Sequence, residues 1–181
     1  MRRWKRKFEA VDMKLDFNYE EIREYIRNST QESVVMIGCD SLRREIHGKA
    51  SALYSAVICV RRASGEGSKI MYHGSKVFGA SVRLPDYGRV VKSGKLANLK
   101  TRLMQEVAFA LEAFENVHEA IGDRPFEIHL DINSSPEWES HVAVQDARGF
   151  VLGISGKEPE FKPYALAASF AADAHVRGLL K

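Results

Sequence analysis

Apolar residues along this chain recur at two different spacings, and the points where the spacing changes divide it into elements. Tyr19, Ile22 and Ile26 follow one another at helical spacing behind a capping-box-like Asn18 and Glu21, which predicts a short amphipathic helix over 18–28. Val34 through Asp40 is apolar on both faces, as in a central strand covered on two sides, and Leu53 through Val60 reads the same way. A Ser, Gly and Glu turn at Gly65 and Gly67 leads to a third strand, Lys69 to Phe78, completing a meander that Gly79 ends. From Gly79 to Lys95 there is Gly, Pro and basic character without period, the mark of a long exposed loop. Leu96, Leu99, Leu103, Val107, Ala110, Leu111 and Phe114 then define a long helix ending near His118 to Gly122.

Phe126 to Asp131 alternates again, with Phe126, Ile128 and Leu130 on one face and Glu127, His129 and Asp131 on the other. Phe150 to Ile154 reads as one more short strand. Pro163 and the Ala-rich run to Leu180 read as a last helix with Pro163 near its first turn, where a missing N–H costs least. Strands followed by helices in this order predict a sheet with helices packed on it, an α/β domain over 18–181 behind a basic tail of residues 1–17.

Composition narrows the partners more than the fold. The 181 residues are 45% hydrophobic and 28% charged, which fits one domain with a real core. A net charge of only +3 leaves attraction to a polyanion to local clusters. One is Arg2, Arg3, Lys5, Arg6 and Lys7; the other runs from Arg83 to Arg102, six basic residues against Asp86 alone. Either cluster reads equally as solvated surface. Cys39 and Cys59 sit in apolar strand-like segments with no metal or redox spacing, and no run has the length of a membrane span, so a reduced, cytoplasmic protein is expected.

The chemistry lies in four acids, each placed where an element turns toward the core: Asp40 and Asp131 at strand ends, Glu106 on the shoulder of the long helix's apolar stripe, and Asp173 on the face shared by Leu166 and Phe170. Carboxylates are seldom buried without a partner, so four beside one core point to a cation-holding cluster. Each has a plainer reading too: Asp40 and Asp131 as turn caps, Glu106 as a side chain reaching back to solvent.

Strand-end acid, mid-helix acid, strand-end acid and C-terminal-helix acid, in that order, is the layout of the ribonuclease H-like superfamily. More narrowly the chain resembles the YkuK-like branch of predicted ribonuclease H-like nucleases. The resemblance is carried by Ile37-Gly38-Cys39-Asp40-Ser41, Glu106, His129-Leu130-Asp131-Ile132-Asn133, and Lys162-Pro163-Tyr164-Ala165-Leu166-Ala167-Ala168 running into Ala172-Asp173. It implies a five-stranded mixed sheet with the first three strands antiparallel, and a site holding two Mg²⁺ or Mn²⁺ ions on Asp40, Glu106, Asp131 and Asp173. Oxygen ligands suit such hard cations. Lys162 is expected to neutralise a phosphate or the transition state, or to be plain surface, and His175 to assist proton transfer or product release, or to face away from Asp173. Ser41, Asn133 and Ser134 are candidate donors to backbone phosphates, and Arg83, Arg89, Lys92 and Lys95 candidate phosphate-neutralising cations.

The leading expectation is therefore a metal-dependent nuclease acting on RNA, an RNA–DNA hybrid or DNA. The alternative is a non-catalytic nucleic-acid-binding module with the same fold, since a fold alone does not establish activity. An actin-like nucleotide-binding half-domain ranks below both, because residues 41–48 offer only Gly48 toward a glycine-rich phosphate loop.

Overall fold

The computed structural model describes residues 15–46, 49–64, 71–85, 95–177 and 179, with side chains described except at 44–46, 49–50, 71–75, 85 and 95–97. Five strands form one mixed sheet: β1 (Val34–Ile46), β2 (Lys49–Ser64), β3 (Met71–Pro85), β4 (Phe126–Asn133) and β5 (Glu160–Lys162) in the order β3-β2-β1-β4-β5. β1, β2 and β3 pair antiparallel, while β4 runs parallel to β1 and β5 parallel to β4. The helices are α1 (Tyr19–Arg27), α2 (Lys95–Ile121), α3 (Val144–Ser155) and α4, which is π-helical over Ala167–Ala172 and α-helical over Asp173–Val176. This is the five-stranded mixed architecture that the resemblance implied.

Strand alternation assigns the two faces. Val35, Ile37 and Cys39 of β1 and Ile128, Leu130 and Ile132 of β4 join the large core beneath α1, α2 and α3. Val34 and Met36 point the other way, joining Val57, Cys59, Ala167 and Ala172 under α4. The core begins earlier than the expected boundary at residue 17, because Leu15 is buried in it. α1 starts as its sequence predicts, the Asn18 side chain accepting from the Glu21 N–H.

Three expectations are corrected. Gly79 does not end β3: it pairs with Val57, and the strand continues to Pro85, so Arg83 is an exposed strand residue and not part of a loop. A Cβ at Gly79 would strike the imidazole of His175, so the glycine serves close approach of α4 to the sheet. Phe150 to Ile154 is not a strand. Phe150, Leu152 and Ile154 alternate but are exposed; the buried positions are Val144, Ala147 and Val151, at helical spacing, and the helix stops at Gly156 in the left-handed region, φ 71°. The fifth strand is the three-residue Glu160–Lys162, too short to carry a period. The last helix, finally, begins after Pro163 and not with it, the proline lying in the turn before α4. The expected turn at Gly65 and Gly67, the Arg2 to Lys7 cluster, Arg89 and Lys92 lie outside the described residues, as does the side chain of Lys95.

Candidate active site

The parallel pairing of β1 with β4 runs from Val35–Phe126 to Cys39–Leu130 and then stops. The next residue on each strand is an aspartate, so Asp40 and Asp131 stand side by side where the parallel ladder ends. Asp40 follows Val34, Met36 and Gly38 on the α4 face, and Asp131 follows His129 there. α4 comes close to that face because its contacts are small: a Cβ on Gly38 would lie 2.5 Å from the Ala168 backbone nitrogen. This approach brings Ser169 and Asp173 over the strand ends, and the Ser169 hydroxyl donates to Asp131 Oδ1 at 2.8 Å.

A cleft of about 500 Å³ opens at this point, lined among others by Asp40, Asp131, Asp173, Lys162, Arg102 and Arg177. Basic side chains pair with two of its acids: Lys162 Nζ lies 2.9 Å from Asp131 Oδ1, and Arg177 Nε donates to Asp173 Oδ1 at 2.6 Å. Burial, and then the negative charge of Asp131, pushes the Asp40 carboxyl up to about 6; the Ser41 N–H, donating to Asp40 Oδ1 at 2.7 Å, pulls the other way.

Glu106 enters differently. It sits on α2, on the opposite side of the sheet from α4, is only 3% exposed, and meets the cleft wall through Ser41 and Arg102. Its Oε1 accepts from the Ser41 hydroxyl at 2.6 Å and from Arg102 Nη1 at 2.8 Å, and the same Arg102 nitrogen donates to Ser41 Oγ at 2.7 Å. Burial drives its carboxyl up to about 8, against the pull of Arg102.

The other expected residues fall at varying distances from the cleft. His175 Nδ1 is bonded to the Ser55 hydroxyl and lies 3.3 Å from Ser81 Oγ; Ser55 is the strand partner of Asp40, so the imidazole is a neighbour of the cleft and not part of its wall. Burial lowers its pKa. Asn133 shapes the turn after β4, its Oδ1 accepting from the Ser135 N–H, while Ser134 is exposed and its carbonyl accepts from His141. His129 is structural, held between Glu127 and the Ala167 N–H. Two lining residues, Arg102 and Arg177, were not singled out from sequence. Their signal was available: each stands four residues from one of the acids on the same helix.

Among the described residues, no three His, Cys, Asp or Glu side chains converge into a ready-made cation cage. The donor chemistry still fits a hard divalent cation. Carboxylates from β1, β4 and α4 line one cleft, and the repulsion between them that raises Asp40 is what a bound cation would relieve. Glu106 stands beside that set from α2, burial and then the negative charges of Asp40 and Asp131 holding its proton. No helix among the described residues is long and apolar enough to cross a membrane.

Residues 86–177 match the protein-family model described as ribonuclease H-like, a span that takes in Glu106, Asp131, Lys162 and Asp173. No curated protein and no solved structure matches the chain. Asp40 precedes the matched span and is tied to it through the β1–β4 pairing. With the sheet order, the strand directions and this match in agreement, the chain belongs to the ribonuclease H-like family.

Proposed function

We propose that this protein is a metal-dependent nuclease, of the YkuK-like branch by its motifs, that hydrolyses nucleic-acid phosphodiester bonds in the cleft at the ends of β1 and β4. The observation that carries this reading is the joint lining of one cleft by Asp40, Asp131 and Asp173 from three separate elements, with basic side chains among them. Asp40, Asp131 and Asp173 are the residues to hold Mg²⁺ or Mn²⁺. When two such ions are bound, they supply activation of the attacking water and stabilisation of the leaving oxygen.

The chain's own contribution is positioning and charge. Asp40 must lose its proton to bind a cation, so the burial that holds this proton sets proton and cation in competition for the carboxylate. Lys162 and Arg177 stand within reach of Asp131 and Asp173, where they are placed to meet phosphate oxygens once those carboxylates take other partners. Ser169 holds Asp131 in orientation. His175, anchored on Ser55 with the rest of its ring against Gly79, would have to turn away from the sheet to serve proton transfer or product release.

The test is incubation with end-labelled single-stranded RNA, RNA–DNA hybrid, single-stranded DNA and duplex DNA, with Mg²⁺ or Mn²⁺, beside Asp40→Asn. Cleavage that requires both the metal and Asp40 supports the proposal and names the substrate class. Substrates that survive long incubation while binding in a salt-dependent way replace it with the non-catalytic binding module.

A further inference from the structure

We propose that His175 is a positioning residue of the cleft: held by Ser55, Ser81 and Gly79, its imidazole fixes the roll of α4 about its axis and with it the place of the Asp173 carboxylate. This rests on the reading of Asp173 as one of the residues that hold a divalent cation.

α4 meets the sheet along Ala172 and Val176, which are 0% and 4% exposed. Successive residues of a helix turn through about 100°, so Asp173 and His175 lie on opposite flanks of that line. Asp173 falls on the flank of the cleft, near enough for its charge to act on Asp40. His175 falls on the flank over β2 and β3. A roll of α4 that lowers one of these side chains toward the sheet therefore lifts the other.

The sheet is shaped to receive the imidazole. Ser55 is bonded to Nδ1, Ser81 Oγ lies 3.3 Å from the same nitrogen, and the Ser81 hydroxyl donates to Ser55 Oγ at 3.0 Å. The rest of the ring fills the space that a Cβ on Gly79 would take, which accounts for a glycine inside a strand. Ser55 is 0% exposed and pairs with Asp40 across β1 and with Ser81 across β3, so the imidazole is held in the row of the sheet that carries Asp40. The earlier part of α4 is held separately, by the Ala167 N–H donating to His129 Nδ1 at 2.9 Å and by Ala168 against Gly38. Asp173 thus lies between two attachments, and His175 is the one that follows it.

A helix with its side chains has a radius of about 5–6 Å, so a roll of about 10° carries a carboxylate through roughly 1 Å. Cation ligands tolerate only about 0.2 Å. Loss of the His175 attachment should therefore be felt at a cation that the imidazole need not touch.

Mn²⁺ affinity, followed by electron paramagnetic resonance, tests this without turnover. The proteins are the wild-type chain, His175→Ala, His175→Asn, Ser55→Ala, Gly79→Ala and the His175→Ala/Gly79→Ala pair, each checked for folding by circular dichroism. His175→Ala, Ser55→Ala and Gly79→Ala should each weaken Mn²⁺ binding roughly tenfold, as loss of an outer support does. The pair should bind within about twofold of His175→Ala, because Gly79→Ala acts by displacing a ring already gone. His175→Asn, whose amide stands two bonds from Cβ as Nδ1 does, should stay within about twofold of wild type. A residue that only adds stability leaves the Mn²⁺ affinity of the folded protein unchanged.

Unchanged affinity in Ser55→Ala and Gly79→Ala, or a loss in His175→Asn as large as in His175→Ala, overturns the inference while the nuclease reading stands. Should His175→Ala fail to fold, Gly79→Ala against wild type decides it alone, since that variant removes no polar group. A wild-type chain that binds no Mn²⁺ overturns both.

Discussion

Gly38→Ala tests whether the cleft depends on main-chain contact between β1 and α4. A Cβ at residue 38 would stand 2.5 Å from Ala168 N and 2.9 Å from Ala167 C and Ala168 Cα, about 0.9 Å inside ordinary contact at its nearest point. All three atoms are backbone, so no side chain can swing away, and α4 must shift by about that distance. Overpacking of this kind costs up to about 3 kcal/mol. The lower chain entropy of alanine offsets about 0.4–1 kcal/mol, leaving a net loss of about 2 kcal/mol. For a chain of this length that is a fall of roughly 4–8 °C in Tm. Because α4 carries Asp173 and Ser169, a displacement near 1 Å should also reduce metal-dependent cleavage by up to about 100-fold. The control is Gly153→Ala on α3, where a Cβ meets nothing within 4 Å; it should stabilise by about 0.5–1 kcal/mol. Differential scanning fluorimetry and urea titration read both. A Gly38→Ala protein as stable as Gly153→Ala would refute the close approach and the dependence of the cleft on it.

Arg124 is 8% exposed and donates to the carbonyls of Arg27, Ser29, Thr30, Ala120 and Ile121, clasping the C-terminal ends of α1 and α2. Arg124→Ala should cost about 3–5 kcal/mol by urea denaturation, because several buried acceptors lose their partner together; a loss under about 1 kcal/mol would show that water replaces the clasp. The Asp40 carboxyl binds its proton more tightly folded, at about 6, than at its ordinary 3.8, so the folded state holds the extra proton and stability falls as pH rises through that window. In EDTA, the stability of Asp40→Asn relative to wild type should therefore grow between pH 4 and about pH 7, and a difference that does not vary with pH would contradict the burial and repulsion assigned to Asp40. Lys162→Ala leaves Asp131 with Ser169 alone of its two described partners, so oligonucleotide affinity should fall with a shallower salt slope while Mn²⁺ binding strengthens or holds; weakened Mn²⁺ binding would count against the competition between Lys162 and a cation.

Much of the fold was legible because its long elements repeat. The seven apolar residues of α2 and the alternation of β4 each set a period over many positions, and both elements lie where that period puts them. The errors came from short or contradictory signals. Phe150, Leu152 and Ile154 imitate a strand on the outside of α3, while the helix's buried side is only Val144, Ala147 and Val151. Gly79 looks like a terminator because the reason for it, the imidazole of His175, comes from a residue far along the chain. The candidate site divides in the same way. Residue type and order pointed to the acids, but which face Glu106 serves depends on Ser41 and the stacking of α2 against the sheet. Arg102 and Arg177 lay within plain i,i+4 pairs that ordinarily read as surface decoration.

Where β4 leaves it at Cys39, β1 keeps its pairing with β2 from Asp40 to Ile46, and β3 accompanies β2 as far as Pro85. Ser41 to Ile46 at about 3.4 Å per residue makes a projection about 20 Å long. Beyond Cys39 the β4 side of β1 has no strand partner among the described residues, so the sheet is one strand narrower there and the cleft opens beside an unpaired strand edge.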